Sequence, residues 1–148
     1  MNSVPPTRRL VSALLIVGTA LTGGGALAAD TALYDASGVP VAYLADDATI
    51  YLWSGQPVAY LQPAGNEVFH LYRFGGKHMG WFAGGIVRDQ TGDGACAVEG
   101  LIKSPTAEPA KPPRQTAPDR ILRDLPPPRP AFSRAWAEAS CLQLLRIW

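Results

Sequence analysis

Between residues 33 and 98 apolar and polar positions alternate in short runs, and each pair of runs is joined at a glycine. The pattern repeats. "SGVPVAYL" at 37–44 returns as "SGQPVAYL" at 54–61, with one changed position. Widened to twelve residues, it occurs four times without gaps: "LYDASGVPVAYL" (33–44), "IYLWSGQPVAYL" (50–61), "LYRFGGKHMGWF" (71–82) and "VRDQTGDGACAV" (87–98). Its first position is aliphatic (Leu33, Ile50, Leu71, Val87), its sixth is glycine (Gly38, Gly55, Gly76, Gly92) and its tenth is small (Ala42, Ala59, Gly80, Cys96). The second position holds Tyr34, Tyr51 and Tyr72, then Arg88; the eleventh holds Tyr43, Tyr60 and Trp81, then Ala97. The fourth copy departs most.

Period-two runs rich in Val, Tyr and Leu suit strands, and a glycine at the break suits a turn that needs positive φ. Pro40 and Pro57 stand just after that turn, where a strand's first residue does without its N–H. Each copy is therefore predicted to be a β-hairpin, and one hairpin alone is marginal in water, so four must share a core. The tenth-column residues are expected to approach one another around a pseudo-fourfold axis, because a bulky side chain there would be repeated in a crowded space. Strict alternation would put Val41, Val58, Met79 and Ala95 on the face of the aromatic column. The fold class expected is all-β: four β-hairpin repeats over residues 29–102.

Four copies of this motif, with "GxPVAYL" and "GKHMGWF" most diagnostic, resemble the bacterial 4-fold beta flower proteins. The resemblance implies hairpin petals around a central axis and no established reaction. A rival architecture is a hairpin solenoid like cell-wall-binding repeats, whose aromatics cage choline or a sugar; those carry more Trp and Tyr per turn.

Outside the repeats, composition changes the picture twice. Residues 1–28 open with Arg8 and Arg9, run apolar from Leu10 and end in "ALA" (26–28), as a cleavable secretory signal does. The mature chain is expected to start at Ala29 and to be periplasmic or secreted, with no stable membrane span after cleavage; a retained anchor is the rival. Residues 104–130 contain nine prolines, including Pro126, Pro127 and Pro128. Residues 103–131 read as a Pro-rich linker. Residues 132–148 read as a short C-terminal helix or docking segment, with Ser133 as its cap and Trp136, Cys141 and Leu144 on its apolar side.

Charge splits at the same boundary. Residues 29–102 hold eight acids against three bases, and 103–148 eight bases against four acids. The plainer interpretation, two solvated surfaces, is taken; the sharper one lays the basic tail on the acidic domain or on an anionic envelope surface. Neither segment carries the concentrated basic face of a nucleic-acid binder. Cys96 and Cys141 could pair in an oxidising compartment or stay as two lone thiols.

No catalytic set stands out. His70 and His78 lack the further ligands of a zinc site and read as strand or turn residues, so no metal and no cofactor is expected. "DQTGDG" (89–94) has Thr91 where a calcium loop needs an acid, and reads as a hairpin turn. Asp46 and Asp47 read as a solvated turn. The aromatic rings Tyr34, Tyr51, Tyr72, Tyr43, Tyr60, Trp53 and Trp81 are the candidate ligand-binding residues, with burial in the core as the competing use. The function expected is a non-enzymatic, exported module that binds an envelope ligand or protein. A structural role with the tail as the contact comes second, and a hydrolase using dispersed acids third.

Overall fold

The computed structural model describes residues 29–146; the expected signal segment, 1–28, lies outside them. Eight antiparallel strands follow one another around a closed barrel: β1 (Thr31–Tyr34), β2 (Pro40–Leu44), β3 (Thr49–Leu52), β4 (Pro57–Gly65), β5 (Val68–Tyr72), β6 (His78–Ala83), β7 (Ile86–Arg88) and β8 (Gly94–Val98). Closure comes from β1 pairing with β8, Leu33 opposite Val98 and Tyr34 opposite Ala97. The four sequence copies are the hairpins β1–β2, β3–β4, β5–β6 and β7–β8, as expected. They are not separate petals, because neighbouring hairpins also pair and no strand edge is left open.

Each hairpin turns identically. Gly38, Gly55, Gly76 and Gly92 have φ of 85, 84, 86 and 93°, and each N–H bonds to the carbonyl three residues back (Asp35, Leu52, Arg73, Asp89). A turn closing on a left-handed residue is the common longer hairpin connection, and glycine adopts that φ without steric cost. Asp35 Oδ1 and Asp89 Oδ1 accept backbone N–H groups from within their own turns, which accounts for the "DQTGDG" acids.

Inside the barrel, each first-column aliphatic faces its tenth-column small residue across the hairpin: Leu33 with Ala42, Ile50 with Ala59, Leu71 with Gly80, Val87 with Cys96. All four aliphatics are fully buried. Alternation fails next to these pairs. Leu33 opposes Ala42 but Tyr34 opposes Pro40, leaving Val41 unmatched, and the same slip leaves Val58, Met79 and Ala95 unmatched in the other hairpins. A β-bulge turns two successive side chains to one side. The ninth-column residues therefore join the interior cluster rather than the aromatic face, contrary to expectation.

The tail overturns the linker expectation. Residues 103–137 circle the barrel outside its glycine turns as a belt. The N–H groups of Thr106, Gln115, Asp124 and Ser133 bond to the carbonyls of Gly38, Gly55, Gly76 and Gly92, at 2.8, 2.9, 2.9 and 3.2 Å. The donors are nine residues apart, so the proline-rich stretch is itself a repeat, one unit per hairpin. Proline suits it, since the belt donates few N–H groups and needs an extended backbone.

The helix starts later than Ser133. α1 (Cys141–Arg146) is capped by Ser140, whose Oγ accepts the Gln143 N–H (3.2 Å) while Gln143 Oε1 accepts the Ser140 N–H (2.8 Å). Those reciprocal bonds are a capping box. Ser133 instead bonds to Asp93 and to the Ala135 N–H. Leu144, Leu145 and Cys141 are buried against the bulge residues at the barrel mouth, and Cys141 forms a disulfide with Cys96 of β8. The helix plugs the end that the belt encircles. Among the described residues no helix is long and apolar enough to cross a membrane.

Candidate functional site

The proposed ligand rings occupy the seams between hairpins. The eleventh-column residue of one copy pairs with the second-column residue of the next: Tyr43 with Tyr51, Tyr60 with Tyr72, Trp81 with Arg88, and at closure Ala97 with Tyr34. These pairs face outward, but the belt covers them. Tyr34, Tyr51, Tyr72, Tyr43, Tyr60 and Trp81 are all buried, and Trp53 is partly so. Cations of the belt lie over the rings: Lys111 over Tyr43 (4.6 Å), Arg114 over Tyr51 (5.2 Å), Arg120 over Tyr60 (4.6 Å) and Arg123 over Tyr72 (5.7 Å). At the third seam the partners exchange sides: the barrel supplies Arg88 and the belt supplies Phe132, 4.7 Å apart. The same cation–π contact is thus built from either partner, which ties these rings to holding the belt.

The charge split has the same basis. Lys111 and Arg114 both pair with Asp30, and Arg114 also reaches Asp46 at 3.9 Å. Burial opposes ionisation of Asp30, but the hydrogen bonds from Arg114 and Lys111 outweigh it and hold its carboxyl below the usual range. Arg120 donates to the Asp47 carbonyl (2.8 Å). The basic tail lies on the acidic domain, the sharper of the two interpretations.

His70 and His78, on neighbouring strands, meet at 3.1 Å between Nδ1 and Nε2. Gln90 Nε2 lies 3.0 Å from His78 Nδ1 and donates to the His78 carbonyl at 2.8 Å. A Gln90 donor leaves Nδ1 of His78 as acceptor and puts the proton on Nε2, which points to His70. Among the described residues no group of three or more potential metal ligands forms. Burial, then the neighbouring His70, lowers the His78 pKa from 6.5 to about 4; burial also lowers that of His70. Between those two pH values the unfolded chain binds protons that the folded chain refuses, so stability is complete above 6.5 and falls as pH drops toward 4. From His78 alone the loss is about 3 kcal/mol. Melting temperature against pH should show this slope in the native chain and a flatter one in His78→Gln; equal slopes would refute the assignment.

Beside the fourth hairpin lies an open groove of about 260 Å³ lined by Ile86, Arg88, Ala97, Leu101, Arg134 and Trp136, among others. Its origin is the weak fourth copy: Ala97 stands where the other copies have a ring, so the outer face there is hollow. Trp136, at 44% exposure, and Leu101, at 51%, rim it. Trp136 is fixed by a bridge to β8, where the Gly94 N–H bonds to the Ala135 carbonyl (2.9 Å) and the Ala137 N–H to the Gly94 carbonyl (2.8 Å). Arg88 spends Nη1 on the Gly92 and Ser133 carbonyls (2.9 and 2.7 Å), while its buried Nε–H has no partner. The groove therefore offers an aromatic face, an aliphatic rim and the exposed Arg134 side chain, the composition of a small-ligand site. Sequence reasoning placed Trp136 on a helix and missed it. The available signal was the nine-residue step, in which Pro109, Pro118 and Pro127 are followed by a tryptophan.

A family model described as 4-fold beta flower protein matches residues 31–145, spanning barrel, belt and most of the plug. No curated protein and no solved structure matches the chain.

Proposed function

The chain belongs to the 4-fold beta flower family, and on that premise we propose that it is an exported, non-enzymatic module of the cell envelope that holds a small ligand in the groove beside Trp136. The observation that carries this reading is the break in repeat symmetry at Ala97, which opens the groove next to the exposed Trp136 ring and the exposed Arg134. A saccharide suits the composition best. Its apolar ring face stacks on an indole, and its hydroxyl or carboxylate oxygens accept from the exposed Arg134 guanidinium. The seven rings first considered are less suited, because belt cations already lie over Tyr43, Trp53, Tyr51, Tyr60 and Tyr72, and Tyr34 and Trp81 are buried.

The test is thermal unfolding of residues 29–148 against peptidoglycan fragments, envelope sugars and choline. A ligand at a hundred times its dissociation constant adds about 2.7 kcal/mol. One class should raise the melting temperature of the native chain and not of Trp136→Ala. No shift with any compound, or an equal shift in both chains, would overturn the proposal. An assembly role for the tail is a second reading, favoured by apolar side chains that the belt turns outward.

A further inference from the structure

The belt repeat supplies its own control for what the fold requires. In the first, second and fifth positions of its nine-residue unit, three copies carry Lys103, Pro112 and Pro130; Ser104, Pro113 and Ala131; Ala107, Thr116 and Arg134. The remaining copy carries Ile121, Leu122 and Leu125. Their exposures are 56, 94 and 92%. The fold is built at three hairpins without large aliphatic side chains in these places, so belt packing does not demand them. Nor are they part of a buried cluster: both leucines stand almost entirely in solvent beside the half-exposed Ile121, as apolar side chains at an interaction surface do.

The charge around them says which partner. Lys111 and Arg114, under the preceding belt unit, are neutralised by Asp30 and Asp46. Arg120, Arg123 and Arg129 flank the aliphatic trio and rest on neutral groups instead: the Tyr60 ring and Asp47 carbonyl, the Tyr72 ring and Gln62 Oε1, and the Phe132 ring. Asp119 and Asp124 are the acids among residues 119–129, and neither forms a salt bridge with Arg120, Arg123 or Arg129, which leaves that stretch at +1. Pro126, Pro127 and Pro128 stiffen the strap immediately after Leu125. Separately protruding aliphatics ringed by uncompensated arginines match the boundary between anionic headgroups and acyl chains.

We propose that this third belt unit docks the barrel on an anionic lipid surface, with Ile121, Leu122 and Leu125 entering the acyl boundary and Arg120, Arg123 and Arg129 supplying the attraction. The proposal stands apart from the Trp136 groove, and each has its own readout. The experiment is co-sedimentation of residues 29–148 with phosphatidylcholine vesicles, plain or mixed with phosphatidylglycerol; omitting residues 1–28 removes their apolar run from the measurement. Binding is expected to the mixed vesicles only, to weaken with added salt, and to fall at least about tenfold in the double variant Leu122→Ser, Leu125→Ser. An unchanged melting temperature would show that the variant is folded, as two such exposed positions should allow. Binding to neither vesicle, or equal binding by native and variant chains, would overturn the proposal. So would a native dimer that the serine variant dissociates, which would make the patch a contact between copies.

Discussion

Cutting the chain after Lys103 is expected to abolish cooperative folding of the barrel rather than release a free domain. The lost pieces are structural at every level. The Cys96–Cys141 disulfide closes a loop with a sequence separation of 45, worth about 4 kcal/mol in the chain-entropy account. Leu144 and Leu145 are 8 and 2% exposed, and each buried leucine contributes roughly 1.5–3 kcal/mol. Removing the belt also bares the rings of Tyr43, Tyr60 and Trp81, now fully covered. Against a typical stability of about 5–15 kcal/mol, these losses are of the size of the whole. Residues 29–103 should show no sharp thermal transition and little near-ultraviolet circular dichroism. A fragment that melts cooperatively near the temperature of the full chain would contradict the account. Replacing Cys96 and Cys141 together by serine should give a graded version, lowering stability by about 4 kcal/mol.

Gly80→Ala should be the most damaging single methyl addition in the barrel wall. Gly80 has φ 153°, and a Cβ there would fall within bonding range of the Arg88 carbonyl on the adjacent strand. The backbone strain costs about 1–3 kcal/mol and the overpacking about 1–3 more, together around 4. No flexible side chain is available to yield, because the obstacle is main chain, so β6 must move from β7. The equivalent positions already carry Ala42, Ala59 and Cys96, so the effect should be peculiar to this copy. Ala59→Gly, in the same column, should cost about 1 kcal/mol by comparison. Denaturant midpoints of the two variants decide it: similar losses would show that Gly80 is an ordinary small residue.

The hairpins were legible because their signal is local. A glycine every repeat, alternation on either side and, in the first two copies, proline after the turn each report on the residues that carry them, and all four turns fall at the repeat glycine. The bulges were not legible, since Val41, Val58, Met79 and Ala95 look like continuing strand. What turns them inward is the register of the partner strand and the apolar helix above the mouth. The belt was missed because composition was given more weight than period. Nine prolines describe a spacer on average, yet the spacing of Thr106, Gln115, Asp124 and Ser133 marks residues that each find a hydrogen bond to a turn glycine. The rings were recognised as the notable chemistry of the chain, but the partner that covers them, an arginine some sixty residues away, leaves no trace in their own neighbourhood. The groove emerges only when the barrel copies and belt units are superposed and Ala97 and Trp136 stand out as the exceptions.

The nine-residue step of the belt also sets where this architecture can vary in length. Spacing between successive turn glycines is already uneven, at 17, 21 and 16 residues, because an extra turn such as that around Asn66 simply loops out beyond the far rim. A proline-rich, solvent-facing strand would ordinarily be the safest place for an insertion. Here one added residue between Thr106 and Gln115 would shift every later donor out of phase with its glycine, move each arginine off its ring, and carry Cys141 away from Cys96. Natural drift in size should therefore collect in the tight rims of the barrel, while the segment that looks most like filler keeps time for all the rest.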